Sequence, residues 1–413
     1  MKLSPLAITE VPTRFRAFAH KRSADFWLFE SSVWLHVFAS SLISIFIPIL
    51  MLQIGFTLKE VLLFYILYHA LNIPANYLAR FLTNRFGARF SIVLGTISTI
   101  IFFILYSQIT DWSQLVWMAL FYALYDGLYY TASLYVFMGS TKDPENTGEN
   151  TGILHLVVRS ASLLGPILGS TLVIASSGNR VVVVSVVVVM FILSLVPLFF
   201  LKEIETKPEK APLNFKEFFN NKREVKNHVS FGLYKIHEAV EFVIFPVFIF
   251  ITFENLESVA VLAVLVPIVS MLFSYTAGHI KRSRREKIIM IGALLLAFVW
   301  LLRLFMDSQV LLYTSSIATG LFALFILVPL EANMYLRGTE RGALSAAMYR
   351  NVASMSFKLI LYIVLYLSVI VFEIPFVIAI FALIGLAYVN HQYLRWRKNQ
   401  PGEQTSVPGL PKN

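Results

Sequence analysis

The sequence predicts an all-α polytopic membrane protein, with twelve transmembrane helices arranged as two pseudo-symmetric six-helix bundles. Three observations carry this prediction. Hydrophobic residues make up 57% of the 413 residues and charged residues only 14%, and the mean hydropathy is +0.72, which places the chain outside the soluble class. Runs of about 20 apolar residues, each long enough to cross a hydrocarbon core about 30 Å thick, recur along the chain. One long polar stretch divides these runs into two sets of six.

In chain order, the spans are 31–52, 59–79, 90–108, 113–138, 151–176, 181–201, 229–252, 258–277, 288–306, 309–336, 343–368 and 371–394. The run from Val181 to Val189 is strand-like in propensity. A bilayer requires every backbone group to be satisfied internally, and no barrel alternation surrounds this run, so it is assigned to a helix. Met1 to Ala24 is polar and basic, without an apolar core before a small-residue cleavage site, and no cleavable signal is expected.

The predicted organisation is a cytoplasmic amino-terminal segment at 1–24, a six-helix bundle at 25–201, a linker at 202–228, a second bundle at 229–397 and an unstructured tail at 398–413. Within the linker, Asn214 caps a short helix that puts Phe215, Phe218 and Phe219 on one face, with Lys216, Lys222 and Arg223 left polar. That pattern fits an interfacial helix on the cytoplasmic leaflet, or a solvated linker.

Charge sets the expected orientation. Of the 34 Lys and Arg residues, 27 fall in the terminal segments and in the loops after spans 2, 4, 6, 8 and 10. The positive-inside bias then places both termini in the cytoplasm, with the chain in the cytoplasmic membrane. It also accounts for the formal net charge of +10 without a nucleic-acid partner. Lys59, Arg180 and Arg303 are assigned to the opposite side. There is no Cys, so neither disulfides nor thiolate chemistry is available.

The two halves resemble each other. Pro48 in the first span is matched by Pro246 in the seventh, and Arg159 in the fifth span by Arg350 in the eleventh. Internal symmetry of this kind is common in transporters, with the binding site between the repeats.

The loop after the second span reads Arg80-Phe81-Leu82-Thr83-Asn84-Arg85-Phe86-Gly87-Ala88-Arg89. It resembles the loop signature of the major facilitator superfamily, G-x-x-x-D-[RK]-x-G-[RK]-[RK]. Arg85, Gly87 and Arg89 match; Arg80, Asn84 and Ala88 depart from it. Gly278 to Arg285, with Arg282, is a shortened echo in the second half, and Gly165-Pro166-Ile167-Leu168-Gly169-Ser170 is similar to the G-P-x-x-G-G end of the family's antiporter motif. The resemblance spans roughly residues 25–397. It implies a central cavity lined by helices 1, 4, 7 and 10 with 5 and 11 beside it, alternating access, and a gating loop at Asn84, Arg85, Gly87, Arg89 and Arg282. Asn84 in place of Asp implies a softer latch, and Asp126 standing where the proton-antiporter pattern has Gln argues against antiporter-like coupling.

Ionisable side chains inside the spans are costly, about 2.5–3.5 kcal/mol each on insertion scales, and are functional candidates by default. In Tyr234-Lys235-Ile236-His237-Glu238-Ala239-Val240-Glu241, the spacing puts Lys235, Glu238 and Glu241 on one broad face with His237. Glu238, Glu241 and His237 are the expected proton-coupling residues; a static Lys235–Glu238 pair is the structural alternative. The second His of a zinc motif is missing, so no metal is expected. Asp126 lies among Tyr122, Tyr125, Tyr129 and Tyr130 on the fourth span, with Tyr122 and Tyr130 expected to clamp a substrate.

His155 and Arg159 are i, i+4 neighbours, and Arg159 either pairs with Asp126 or contacts substrate. Arg350, Ser354 and Lys358, with Asn351 at the edge, form a polar stripe that serves the cavity or packs the helix. Arg159 and Arg350, facing each other from opposite bundles, would suit a carboxylate or phosphate. Glu331 and His36 lie nearer span ends, and Glu331 is expected to be solvated at the interface, like Glu30 and Glu373.

The expected function is a monomeric, proton-coupled secondary transporter for a small organic anion, zwitterion or anionic amphiphile. An efflux carrier or flippase for hydrophobic compounds or lipids is the alternative, and a non-transporting membrane sensor or assembly factor a third. No phosphate-binding Gly-Lys loop, nucleophile elbow or complete zinc motif is present, so neither an enzyme nor a cofactor is expected.

Overall fold

A computed structural model of the chain describes residues 23–140, 146–176, 179–202, 214–340, 342–368 and 371–399. The amino-terminal segment before Ser23 and the tail beyond Asn399 lie outside the described residues, so the expectations placed on them are not addressed.

Twelve long helices follow one another among the described residues: α1 Ala24–Ile54, α2 Leu58–Phe86, α3 Ala88–Gln108, α4 Ser113–Ser140, α5 Thr147–Ala175, α6 Arg180–Phe200, α7 Lys222–Phe253, α8 Leu256–Gly278, α9 Arg285–Arg303, α10 Gln309–Glu340, α11 Ala343–Leu367 and α12 Glu373–Lys398. Ten of these are long and apolar enough to cross a bilayer; α4, with its Tyr cluster, and α9, with Arg285, Glu286 and Lys287 in its first turn, are the other two. The Val-rich run is helical, and the Asn179 side chain caps α6 by accepting from Val181 N–H. A capping box between Thr57 and Glu60 opens α2.

Helix ends differ from the sequence expectation where polar residues extend a helix past its apolar run. α7 begins at Lys222, within the stretch assigned to the linker, and α10 continues to Glu340. The linker helix Phe215–Phe219 is capped by Asn214 as anticipated. Its apolar face does not simply rest on lipid: Phe218 is buried against Tyr349 of α11, at 4.7 Å between ring centroids, and against His228 of α7 at 5.2 Å.

The two halves meet through symmetry-related pairs, α5 on α8 and α2 on α11, with α4 and α10 between them. Both first helices of the halves are irregular at the same place. α1 breaks into a 3-10 turn at Ser44–Phe46 just before Pro48, and α7 carries a π-helical turn at Val240–Ile244 just before Pro246. A proline removes one N–H from the ladder and crowds the preceding turn, so each half acquires a local distortion that the paired prolines explain.

Gly165 and Gly169 of α5 let the α1 break approach: a side chain on either would collide with Ser41–Leu42. At the end of the molecule bearing the α4–α5 and α8–α9 connections, α5 crosses α8 at glycine. A Cβ on Gly278 would lie 2.7 Å from the Gly148 carbonyl oxygen and 3.0 Å from the Gly152 Cα. Beside this crossing, Phe137 of α4 packs edge-on against Tyr335 of α10, and Gly338 makes room for Met138.

Gly278→Val therefore has no room unless the halves separate at this end. Spin labels on cysteines introduced at Asn146 and Lys281, in a chain with no native Cys, should report a longer distance in the Gly278→Val protein than in the parent. An unchanged distance distribution would show that the crossing does not hold this end closed.

Candidate functional site

A cavity of about 390 Å³ lies between the halves, walled by α1, α4, α5, α7, α10 and α11 and by Tyr68 of α2. Of the sequence-predicted substrate residues, Asp126, Tyr130, His155, Arg159, Lys235, Arg350, Asn351 and Lys358 line it, together with Glu238. Apolar side chains, among them Phe29, Val33, Phe137, Phe242 and Met355, cover much of the remaining wall.

Three charge groups face this space. Glu238 holds two ammonium groups, Lys235 at 2.6 Å and Lys358 at 3.3 Å, so the expected Lys235–Glu238 pair is a triad joining α7 to α11. Glu331 accepts from Arg350 at very short range, from Tyr335 O–H at 2.9 Å, and is 2.9 Å from His155 Nε2. It is 3% exposed, which corrects its assignment to the solvated interface. Arg350 also stacks over Phe231, at 4.4 Å to the ring centroid, so its charge and its flat face are both engaged. The pair of guanidiniums expected from symmetry is therefore unequal. Arg159 makes no hydrogen bond or ion pair with any described residue, and its Nε is buried without a partner.

Asp126 is not the partner of Arg159. Its carboxylate accepts from Tyr68 O–H and from Asn72 Nδ2, both at 2.9 Å. Behind Asn72 runs a one-directional chain of donors: Asn76 donates to Asn72 Oδ1 at 2.6 Å, Thr131 to Asn76 Oδ1 at 2.7 Å, Asn351 to Thr131 Oγ1 at 3.1 Å and Arg350 to Asn351 Oδ1 at 3.0 Å. The Asn351–Thr131 step crosses between the halves, as does His155–Glu331. Apart from Asn351, His155, Arg350 and Asp126, this network was not legible in the sequence, because Asn72, Asn76 and Thr131 are uncharged and isolated in apolar runs.

Three expectations change. Tyr122 does not line the cavity; it sits in an aromatic cluster with Tyr68 and Phe102, at 4.6 and 4.5 Å between centroids. His237 faces the interior of the second half, where its Nδ1 accepts from Trp300 Nε1–H at 2.8 Å. Glu241, in the π-helical turn at Val240–Ile244, is likewise absent from the wall of this cavity, and its carboxylate is held by Arg303 of the second half.

Both oxygens of Glu241 accept from Arg303, at 2.5 and 3.2 Å. Arg303 was expected outside the membrane core, yet it is 2% exposed, donates to Ser315, Ser316 and Thr319 of α10, and stacks over Phe245 at 3.9 Å. The recurring Ser315, Ser316 and Thr319 on one face of an apolar helix were the available signal. Glu30 and His36 are buried as well; the His36 ring stacks on Tyr129 at 3.5 Å.

The loop residues stand apart from the cavity. Asn84 and Arg85 are exposed, Gly87 turns the chain from α2 into α3 at φ +88°, and Arg89 donates to the Leu201 carbonyl in the same half. Arg282 opens a 3-10 turn in the equivalent connection between α8 and α9.

The family profile described as Major Facilitator Superfamily matches residues 31–355. Among solved structures, the chain is similar to the human organic anion transporter MFSD10 (TETRAN), with a TM-score of 0.67 and 11% identity over 89% of this chain and 100% of that one. It is also similar to a bacterial homologue of the iron transporter ferroportin in an outward-facing state, with a TM-score of 0.70 and 11% identity over 90% of this chain and 100% of that one. No curated protein matches the chain by sequence.

Removing one member of a buried pair leaves an uncompensated charge, typically a loss of about 3–5 kcal/mol. Glu241→Gln should thus lower the thermal unfolding midpoint of purified protein, followed by Trp fluorescence, and Glu241→Gln with Arg303→Gln should recover part of the loss. A midpoint unaffected by Glu241→Gln would show that the Glu241–Arg303 pair does not hold the second half together.

Proposed function

The chain belongs to the major facilitator superfamily, and from that premise we propose that it carries a small organic anion with an apolar body across the cytoplasmic membrane by alternating access. The observation that carries the reading is Arg159, a guanidinium with no hydrogen bond or ion pair to any described residue, in a cavity whose other Lys and Arg side chains each contact a carboxylate. In a confined, partly apolar space, an unmatched guanidinium is a strong site for a carboxylate or similar oxyanion. The apolar stretches of the same wall favour an amphiphilic body over a small hydrophilic one. One structural neighbour is described as an organic anion transporter, but at 11% identity that likeness carries the fold alone, so the substrate class rests on the cavity.

The proton is assigned to Asp126, not to α7. Glu241 is committed to Arg303 and Glu238 to two lysines, whereas the direct partners of Asp126 are a tyrosine hydroxyl and an amide. Losing a proton there adds a charge whose direct hydrogen-bond donors are neutral, and gaining one neutralises a cavity carboxylate that no described cation contacts. Entry of an anion at Arg159 and of a proton at Asp126 would leave the charge of the cavity unchanged. The loop charges support both termini facing the cytoplasm, and the two halves are taken as 25–201 and, from the start of α7, 222–397, with a monomer as the working unit.

In reconstituted liposomes, Arg159→Ala should reduce uptake of any transported organic anion about tenfold or more, the usual scale for losing one charge-assisted contact. The thermal unfolding midpoint of the Arg159→Ala protein, compared with the parent, separates general damage from loss of the anion contact. Asp126→Asn should remove stimulation by an imposed pH gradient while leaving counterflow exchange intact. Uptake in the Arg159→Ala protein equal to the parent would remove the anion assignment, and pH-gradient stimulation persisting in Asp126→Asn would remove the proton assignment.

A further inference from the structure

Beside the cavity lies a smaller chamber of about 120 Å³, walled by α1, α5, α7 and α8. The two share Ser41, Arg159, Ser162 and Phe242, so Arg159 stands at the boundary between them. The chamber lies where both pseudo-equivalent helices are irregular: Ser44 and Ile45 come from the α1 break, Glu241 and Phe242 from the π-helical turn of α7. Backbone irregularity within a membrane protein is tolerated where it lines a polar space.

Its polar groups are unevenly matched. The hydroxyls of Ser41, Ser44 and Ser162 make no hydrogen bond with another described residue, and neither does Arg159. Glu241, the one carboxylate on the wall, has both oxygens occupied by Arg303. The chamber therefore offers a fixed positive charge and three free hydroxyl donors, with no uncommitted anionic ligand. A metal cation would meet the Arg159 charge with nothing to offset it. A compact anion would satisfy the guanidinium and the hydroxyls together. The chamber, at about 120 Å³ against about 390 Å³ for the main cavity, suits a carboxylate or a halide with residual hydration and leaves any larger body in the main cavity.

We propose that the polar part of this chamber, Arg159 with the Ser41, Ser44 and Ser162 hydroxyls in an otherwise largely apolar lining, binds a compact monovalent anionic group. The group is either the carboxylate head of the transported anion, in which case the site deepens the transport reading above and rests on it, or a free ion of the same charge. Ser162 sits one turn from Arg159 on the same face of α5, so it is the hydroxyl placed to share the ligand with the guanidinium. Ala263 of α8 closes the chamber from the other half and is 6% exposed, so enlarging it fills the space without touching a donor.

The test measures thermal unfolding of purified full-length protein in sodium gluconate against sodium formate, sodium chloride and sodium phenylacetate. Formate should stabilise the parent over gluconate, and the half-saturating concentration should rise about tenfold, the scale of one lost contact to a charged ligand, in both Ser162→Ala and Ala263→Leu. If the occupant is a substrate head group, formate and phenylacetate will compete. If it is a free ion, chloride will match formate and phenylacetate stabilisation will add to it; either pattern supports the site. Formate and chloride dependence unchanged in both variants, or absent from the parent, overturns the chamber. Should that happen while Arg159→Ala still abolishes organic-anion uptake, transport stands and only the chamber falls. Formate stabilisation lost in the variants, in a parent that takes up no organic anion, would instead leave an ion site and remove the transport reading.

Discussion

Glu331 holds the two halves of the molecule to a common centre. Its carboxylate takes a guanidinium and a tyrosine hydroxyl from its own half and an imidazole from the other. A charge at this depth is tolerated only when matched, so the packing of α5, α10 and α11 around the cavity is tied to that match. Any motion that separates α5 from α10 has to replace the His155 contact with water or with a new partner.

The division of labour among the cavity charges follows from the same rule. Four cationic side chains and three carboxylates line the space, yet they are not interchangeable. Arg350 and Glu331 form one neutral unit across α10 and α11, and Lys235, Lys358 and Glu238 form a second group with one positive charge in excess. Arg159 and Asp126 are left on α5 and α4 of the first half, one without a hydrogen bond or ion pair to any described residue and the other held by neutral donors. The groups that remain uncommitted are the ones available to ligands.

Much of the architecture was legible because hydropathy and proline act locally. The twelve spans, the paired Pro48 and Pro246, and the inward placement of Arg159, Lys235 and Lys358 required no knowledge of neighbours. Partners required the third dimension. Glu331 looked solvated because the apolar run of α10 weakens near 336, whereas the helix continues to Glu340 and buries it more than two turns from its end. Arg303 looked extramembranous because it closes an apolar run, but α9 delivers it to Glu241 and a hydroxyl-rich face of α10. His237 and Glu241 were assigned to the cavity on a regular helical period, which the π-helical turn at Val240–Ile244 interrupts. Tyr122 shares a helix with Asp126 but not its outlook.

The donor chain from Arg350 through Asn351, Thr131, Asn76 and Asn72 to Asp126 has a polarity as well as a length. Each amide or hydroxyl hands its hydrogen toward the carboxylate, so the small dipoles add up instead of cancelling. Parting α11 from α4 cuts this row at Asn351–Thr131 and strands a donor on one face and an acceptor on the other. Solvent has to fill that seam as it opens, which makes hydration a reactant in the conformational cycle and not merely its surroundings.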